Sequence, residues 1–270
     1  MSEGLAAERL TLGYGSTIIV PELSFALPRA KVTAIIGANG SGKSTLLHGL
    51  AGILRPLSGE VTLDGRNTRD MPPRELARRI GTLPQRSDAP PGMTVRDLVS
   101  QGRFPHRRLF APWSDQDERS LLSALKRSGI ADLAERRLDT LSGGQQQRAW
   151  IAMALAQETD ILLLDEPTTF LDLAHQIDVM TLLRSLNEDQ GVTVVAVLHD
   201  LVQAARHADH IVALKSGRIV RTGTPRDLLT PATIAEVFDV EAMVISDPVT
   251  DAPLCIPVAR SGISQDRSKA

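Results

Sequence analysis

Between Gly37 and Ser44 the chain reads Gly-Ala-Asn-Gly-Ser-Gly-Lys-Ser, and this run restricts the fold more tightly than any other. Its glycines let backbone N–H groups wrap an anion, and a helix start behind them adds a favourable dipole. A loop of this kind works only between a buried strand and a helix. The short, largely apolar run from Lys31 to Ile36 supplies the strand, and a helix beginning near Lys43 supplies the rest. The expected centre of the fold is therefore α/β. In that setting Lys43 is placed to bridge β- and γ-phosphates and Ser44 to ligand Mg²⁺. Gly37, Ala38, Asn39, Gly40, Ser41, Gly42 and Thr45 would line the phosphates.

Other regions supply the layers that such a loop needs around it. Glu8 to Leu12 and Leu23 to Leu27 alternate polar and apolar residues, which predicts antiparallel strands. Gly59 to Gly65 suggests a hairpin and Ile80 to Leu83 another strand. Pro90-Pro91-Gly92 then breaks the chain, and helical patterns follow in Val95 to Gln101 and Ser114 to Ser128. We expect an inserted helical subdomain over about 87–140. After Leu141, helices alternate with strands at Ile161 to Leu164, Val192 to Leu198 and His210 to Leu214, the pattern of a mostly parallel sheet covered by helices. Leu173, Ile177, Met180 and Leu183 fall at helical spacing and are expected in the core. Residues 1–260 read as one domain, and 261–270 as a flexible tail.

Composition excludes several functional classes. Thirty Lys and Arg against 32 Asp and Glu leave a net charge of −2, too little for a global field that gathers nucleic acid or an anionic membrane. The single cysteine, Cys255, rules out an internal disulfide or a Cys-based zinc site and is read as structural. Met1 to Gly15 has neither the basic patch nor the apolar core of a signal peptide, so a cytosolic location is expected. Apolar runs fall short of the roughly 20 residues needed to cross a bilayer.

Chemistry concentrates at predicted strand ends. Ile161 to Leu164 delivers Asp165 and Glu166, the first suited to hold Mg²⁺, the second to orient or deprotonate water. Gln85 ends the run Ile80 to Pro84 and can offer an oxygen to Mg²⁺ or water. His199 follows Val192 to Leu198 within reach of a γ-phosphate, and Asp200 after it reads as a helix cap. Tyr14 can stack on a flat base. Ser142, Gly143, Gly144 and Gln145 precede a helix running to about Gln157 and offer a second set of unpaired N–H groups.

In this order the elements resemble the ATP-binding cassette (ABC) ATPases, over residues 8 to 258: Tyr14, the loop Gly37 to Thr45, Gln85, the Leu141-Ser142-Gly143-Gly144-Gln145 signature, Asp165 and Glu166, Asp172, and His199. The resemblance implies a P-loop NTPase (RecA-like) core with an N-terminal antiparallel β subdomain and an inserted helical subdomain. It also implies Mg-ATP hydrolysis by Glu166, His199, Gln85 and Lys43. Two copies would face head to tail, each signature closing on the phosphates held by the other's loop. Transmembrane permease subunits, and indirectly a substrate-binding protein, are the further partners implied, with no nucleic acid, at the cytoplasmic face of the inner membrane. Gly102 to His106, Leu109-Phe110, Trp113, Leu171 to Gln176, Leu198 to Leu201 with Gln203-Ala204-Ala205, Asp247-Pro248-Val249 and Pro253 to Pro257 resemble the ferric-siderophore importers, whose relatives carry haem or cobalamin. Phe170 stands where that group often has Trp or Tyr. Arg103, His106, Arg107 and Arg108 would lie near the permease dock. A soluble ABC ATPase of nucleic-acid repair or translation is the more distant alternative, and it usually carries two cassettes where this chain has one.

Overall fold

The computed structural model describes residues 4–83, 89–108, 111–169 and 171–260. Strands β1 (Leu5–Tyr14) and β2 (Thr17–Ala26) form a hairpin that leads into β3 (Val32–Gly37) and helix α1 (Lys43–Leu50). Strands β4 (Ser58–Leu63) and β5 (Arg66–Asn67) return to β1 and complete an antiparallel sheet in the order β2-β1-β4-β5. Then come α2 (Pro73–Arg79), β6 (Ile80–Leu83), α3 (Val95–Gln101), α4 (Asp115–Arg127) and α5 (Gly143–Ala156). Strand β7 (Ile161–Asp165), α6 (Leu173–Gln190), β8 (Thr193–Val197), α7 (Leu201–His207) and β9 (His210–Lys215) follow. The chain continues through β10 (Arg218–Gly223), α8 (Pro225–Leu228) and α9 (Pro231–Phe238) to a separate hairpin, β11 (Val240–Ser246) and β12 (Pro253–Arg260).

The central sheet has the order β10-β9-β3-β8-β7-β6, parallel throughout except for β10. Strands β3, β7 and β8 are buried at every position, as parallel strands covered on both faces must be. Their alternation sends successive residues to opposite faces. Ala34, Leu162, Leu164, Val194 and Ala196 pack with α6, α7 and α9, while Ile35, Leu163, Val195 and Val197 pack with α1 and the antiparallel sheet. A mostly parallel α/β core with an antiparallel β layer is what the sequence predicted.

Helices α3, α4 and α5 share a third apolar cluster, including Leu98, Leu121, Leu125, Ala149 and Ala152. Reciprocal capping boxes start all three helices, Thr94 with Asp97, Ser114 with Asp117 and Ser142 with Gln145. Arg103 corrects an expectation. Rather than facing a partner, it is 2% exposed and bonds Asp117 at 3.1 Å, the Ala156 carbonyl at 2.8 Å and Glu158 at 2.8 Å. A guanidinium with three acceptors around its fork can be buried where a lone basic side chain cannot. His106 is likewise turned inward to the Gln157 carbonyl at 2.7 Å, and Arg107 lies over the Trp113 ring.

Helix α6 gives a second correction. Met180 and Leu183 are core residues, but Leu173 and Ile177 are 72% and 53% exposed. Helical spacing fixes which residues share a face; it does not fix where along the helix the covering surface begins, and here the buried stripe starts at Val179. Cys255 sits half-buried on β12 against the core, and burial pushes its thiol pKa up. No helix among the described residues is long and apolar enough to cross a membrane.

Candidate active site

Strands β3, β8 and β7 are neighbours and run in the same direction, so their carboxyl ends open at one edge of the sheet, where α/β folds bind ligands. The loop after β3 is shaped by two glycines. Gly37 has φ 154°, and a side chain there would put a carbon 2.3 Å from the Leu214 carbonyl oxygen of β9. Gly42 has φ 95° and forms the N-cap of α1. The turn after β9 pins the loop, since Gly217 N–H donates to the Ser41 carbonyl at 2.9 Å.

Lys43 is buried, and its ammonium donates to the Gly37 and Ala38 carbonyls at 3.0 Å each. Burial lowers its pKa, with Glu166 and Asp165 acting in the opposite direction. The Ser41 hydroxyl in the same loop is buried without a hydrogen-bond partner among the described residues, a polar atom whose burial cost a bound phosphate oxygen would relieve. Gly40 and Asn39 face open space and solvent.

Ser44 donates to Asp165 Oδ1 at 3.0 Å, and His48, one turn further on α1, brings Nε2 to 3.7 Å from Oδ2. Burial raises the Asp165 pKa against the hydrogen bond from Ser44. Glu166 follows in the left-handed backbone region, at φ 53°. Its Oε1 lies 2.5 Å from His199 Nε2, and its Oε2 accepts from Thr169 Oγ1 at 3.1 Å. Asp200 caps α7 as expected, accepting from Val202 N at 2.7 Å, and so fixes the turn that carries His199. Lys43, Ser44, Asp165, Glu166 and His199 are thus brought together. His48 and Thr169 join them without having been anticipated. The i, i+4 spacing of Ser44 and His48 was a usable signal for the first, but nothing in the sequence announced the second.

Tyr14 ends β1 and is 54% exposed, beside a hairpin whose Ile19 and Val20 approach Gly42. Gln85 lies outside the described residues, as do Leu109-Phe110, Phe170 and 261–270. The signature is elsewhere. Ser142 caps α5, its hydroxyl accepting from Gln145 N at 3.3 Å while Gln145 Oε1 accepts from Ser142 N at 3.1 Å. Ser142 and Gly143 are exposed, and Gly144 is packed by the His175 ring, which Asp172 holds at 2.6 Å. Among the described residues none of these four bonds to the phosphate loop of its own chain. The helix is tied instead to the segment after β7, through Gln147 to the Pro167 carbonyl at 3.0 Å and Arg148 to Asp178.

Comparison with known proteins agrees with this geometry. The family described as ABC transporter matches residues 20–169. The ferric enterobactin transport ATP-binding protein FepC of Escherichia coli (strain K12) is 48% identical over 264 residues, covering 98% of this chain and 97% of that one. Among solved structures, a metal-chelate type ABC transporter in an inward-facing conformation superposes with a TM-score of 0.82 at 32% identity, covering 96% of this chain and 98% of the other. A dimeric ATP-binding cassette in a post-hydrolysis state with ADP and Pi superposes with a TM-score of 0.72 at 32% identity, covering 82% and 98%.

Proposed function

Because this chain belongs to the ABC transporter family, we propose that it is the ATP-hydrolysing subunit of an importer that takes up a ferric-siderophore complex. The observation that carries the ATPase reading is the convergence of Ser44–Asp165 and Glu166–His199 beside the Lys43 loop. The cargo reading is supported by the enterobactin relative and the metal-chelate transporter.

In this reading the loop N–H groups and Lys43 take the β- and γ-phosphates, exchanging the loop's own carbonyls for the nucleotide. Tyr14 stacks on adenine. Glu166, steadied by His199 and Thr169, orients or deprotonates the water that attacks the γ-phosphate, and His199 positions both. Among the described residues no cluster of three or more His, Cys, Asp or Glu offers a cage for a metal. That fits Mg²⁺, which keeps several waters and binds through one or two carboxylates plus substrate phosphates. Ser44 and Asp165 would hold it, with Gln85 as a further oxygen. When bound, Mg²⁺ neutralises charge that develops on the phosphoryl group.

The second half of each site would come from a second copy, through Ser142, Gly143, Gly144 and Gln145. Exposure of the α5 start and the dimeric cassette relative support this. Closing and opening of that dimer would drive permease subunits in the inner membrane, fed by a substrate-binding protein, with the chain held peripherally at the cytoplasmic face and α3 and α4 within a helical subdomain inserted over about 87–140. The test is uptake of labelled ferric siderophores, haem and cobalamin in a strain lacking this gene, restored with wild type or Glu166→Gln. We expect loss of ferric-siderophore uptake rescued by wild type alone. Loss confined to haem or cobalamin would move the cargo, and unchanged uptake of all three would sink the siderophore reading and leave an ABC ATPase of another cargo.

A further inference from the structure

At the amino-terminal ends of the parallel strands, away from Lys43, lies a cavity of about 490 Å³, a volume typical of small-molecule sites. Its walls come from three parts of the fold: Leu63 of the antiparallel sheet, Ile161 at the start of β7, and Ala124 and Leu155 of α4 and α5. Leu162 and Leu186 extend the apolar lining.

Most charged groups around it are already matched. Arg79 bonds Asp64 at 2.7 Å and contacts Asp160, Arg29 lies 3.7 Å from Asp64, and Glu158 is held by Arg103 at 2.8 Å. Arg127 differs. Among the described residues it makes no hydrogen bond or ion pair, and burial lowers its pKa with only the more distant charge of Asp189 opposing. Ser123 stands one turn earlier on the same face of α4, and Gln190 at the end of α6 lines the same cavity. Their side chains also make no hydrogen bond among the described residues.

We infer that this cavity binds a small amphipathic carboxylate, with its head group on Arg127 and its apolar body against the partly exposed Leu155 and Val192. The guanidinium fork matches a carboxylate in two parallel hydrogen bonds. Ser123 and Gln190 can complete the head group's contacts. A single cation without an ion-pair partner takes one negative charge, while a polyanion would meet the three acids of the rim, Asp64, Glu158 and Asp160, and leave the apolar wall of Leu155 and Val192 uncovered. The site shares no residue with the ATP-binding edge, so it stands or falls independently of the transport reading.

The test is calorimetric titration of octanoate, and separately of citrate, into the full chain saturated with Mg-ADP. Octanoate should bind saturably, and Arg127→Gln should weaken it roughly tenfold or more, the usual value of a charged hydrogen-bonded pair. Ser123→Trp, at an exposed position that fills the mouth, should also weaken it, and both variants should keep the wild-type ATPase rate. Absence of saturable octanoate binding, undiminished binding by Arg127→Gln, or tighter binding of citrate than of octanoate would each overturn the assignment. If Arg127→Gln fails to fold, undiminished binding by Ser123→Trp does so instead.

Discussion

Glu166 concentrates two demands in one residue: a backbone in the left-handed region and a carboxylate fixed at both oxygens, by His199 at 2.5 Å and Thr169 at 3.1 Å. Such backbone strain persists where the surroundings over-determine it, often at reactive sites. Replacing Glu166 by Gln keeps the shape and removes the proposed base, so steady-state ATP hydrolysis should fall by about 10²–10⁴-fold while nucleotide binding persists. Phosphate-release kinetics alongside equilibrium binding of a fluorescent ATP analogue would check both parts, and near-normal turnover would remove Glu166 from the role of base. Lys43, Asp165, Glu166 and His199 were legible in the sequence because each sits at a fixed offset from an apolar run, and a strand end dictates where its next residues project. Thr169 was not legible. Its contact depends on the left-handed turn at Glu166, which no local pattern encodes.

Among the elements, the helical cluster of α3, α4 and α5 is fastened by charge as well as by leucine. Arg103 and Asp117 are both buried and meet at 3.1 Å. Arg103→Ala would leave Asp117 without its counter-ion, a loss of about 3–5 kcal/mol when one partner of a buried pair is removed. Urea denaturation followed by circular dichroism should show the midpoint falling accordingly, and an unchanged midpoint would refute the pairing. The sequence placed Arg103 at the surface because an isolated basic residue normally belongs there; the acceptors that bury it come from positions 14 to 55 residues away. Helices and strands were readable from local periodicity, whereas the exposed Leu173 and Ile177 show that such periodicity says nothing about the length of the partner surface. The β11–β12 hairpin has its own fastening. Asp247 accepts from Arg206 at 2.6 Å, Val249 N at 3.0 Å and Thr250 at 2.7 Å, and its pKa is lowered from 3.8 to about 2. A carboxyl depressed in this way contributes stability in full above about pH 4, and that contribution fades as pH falls through about 2. The Asp247→Asn variant should therefore be less stable than wild type at pH 7, with the gap closing toward pH 2. Thermal unfolding at a series of pH values would show this, and a gap that widened on acidification would contradict it.

Taken as a whole molecule, the chain separates two anion-seeking helix starts that the proposed chemistry would bring together. One follows Gly42 at the phosphate loop; the other follows Ser142, exposed and unattached to that loop. Helix starts leave backbone N–H groups unpaired, and those of Gly143 and Gly144 gain most by closing on a negatively charged group. On the proposed reading a second copy in head-to-tail orientation would supply that group twice, once per site, so association should depend on bound ATP and vanish with hydrolysis. Glu166→Gln, expected to bind ATP and turn it over slowly, should run as a dimer in Mg-ATP and as a monomer in Mg-ADP, as read by light scattering during gel filtration. Adding Ser142→Arg places a bulky cation at the closing surface without touching the loop of its own chain. The double variant should bind ATP yet stay monomeric, separating nucleotide binding from dimer closure. A monomer from Glu166→Gln alone in saturating Mg-ATP would leave the two helix starts without a common ligand and would rule out the shared site.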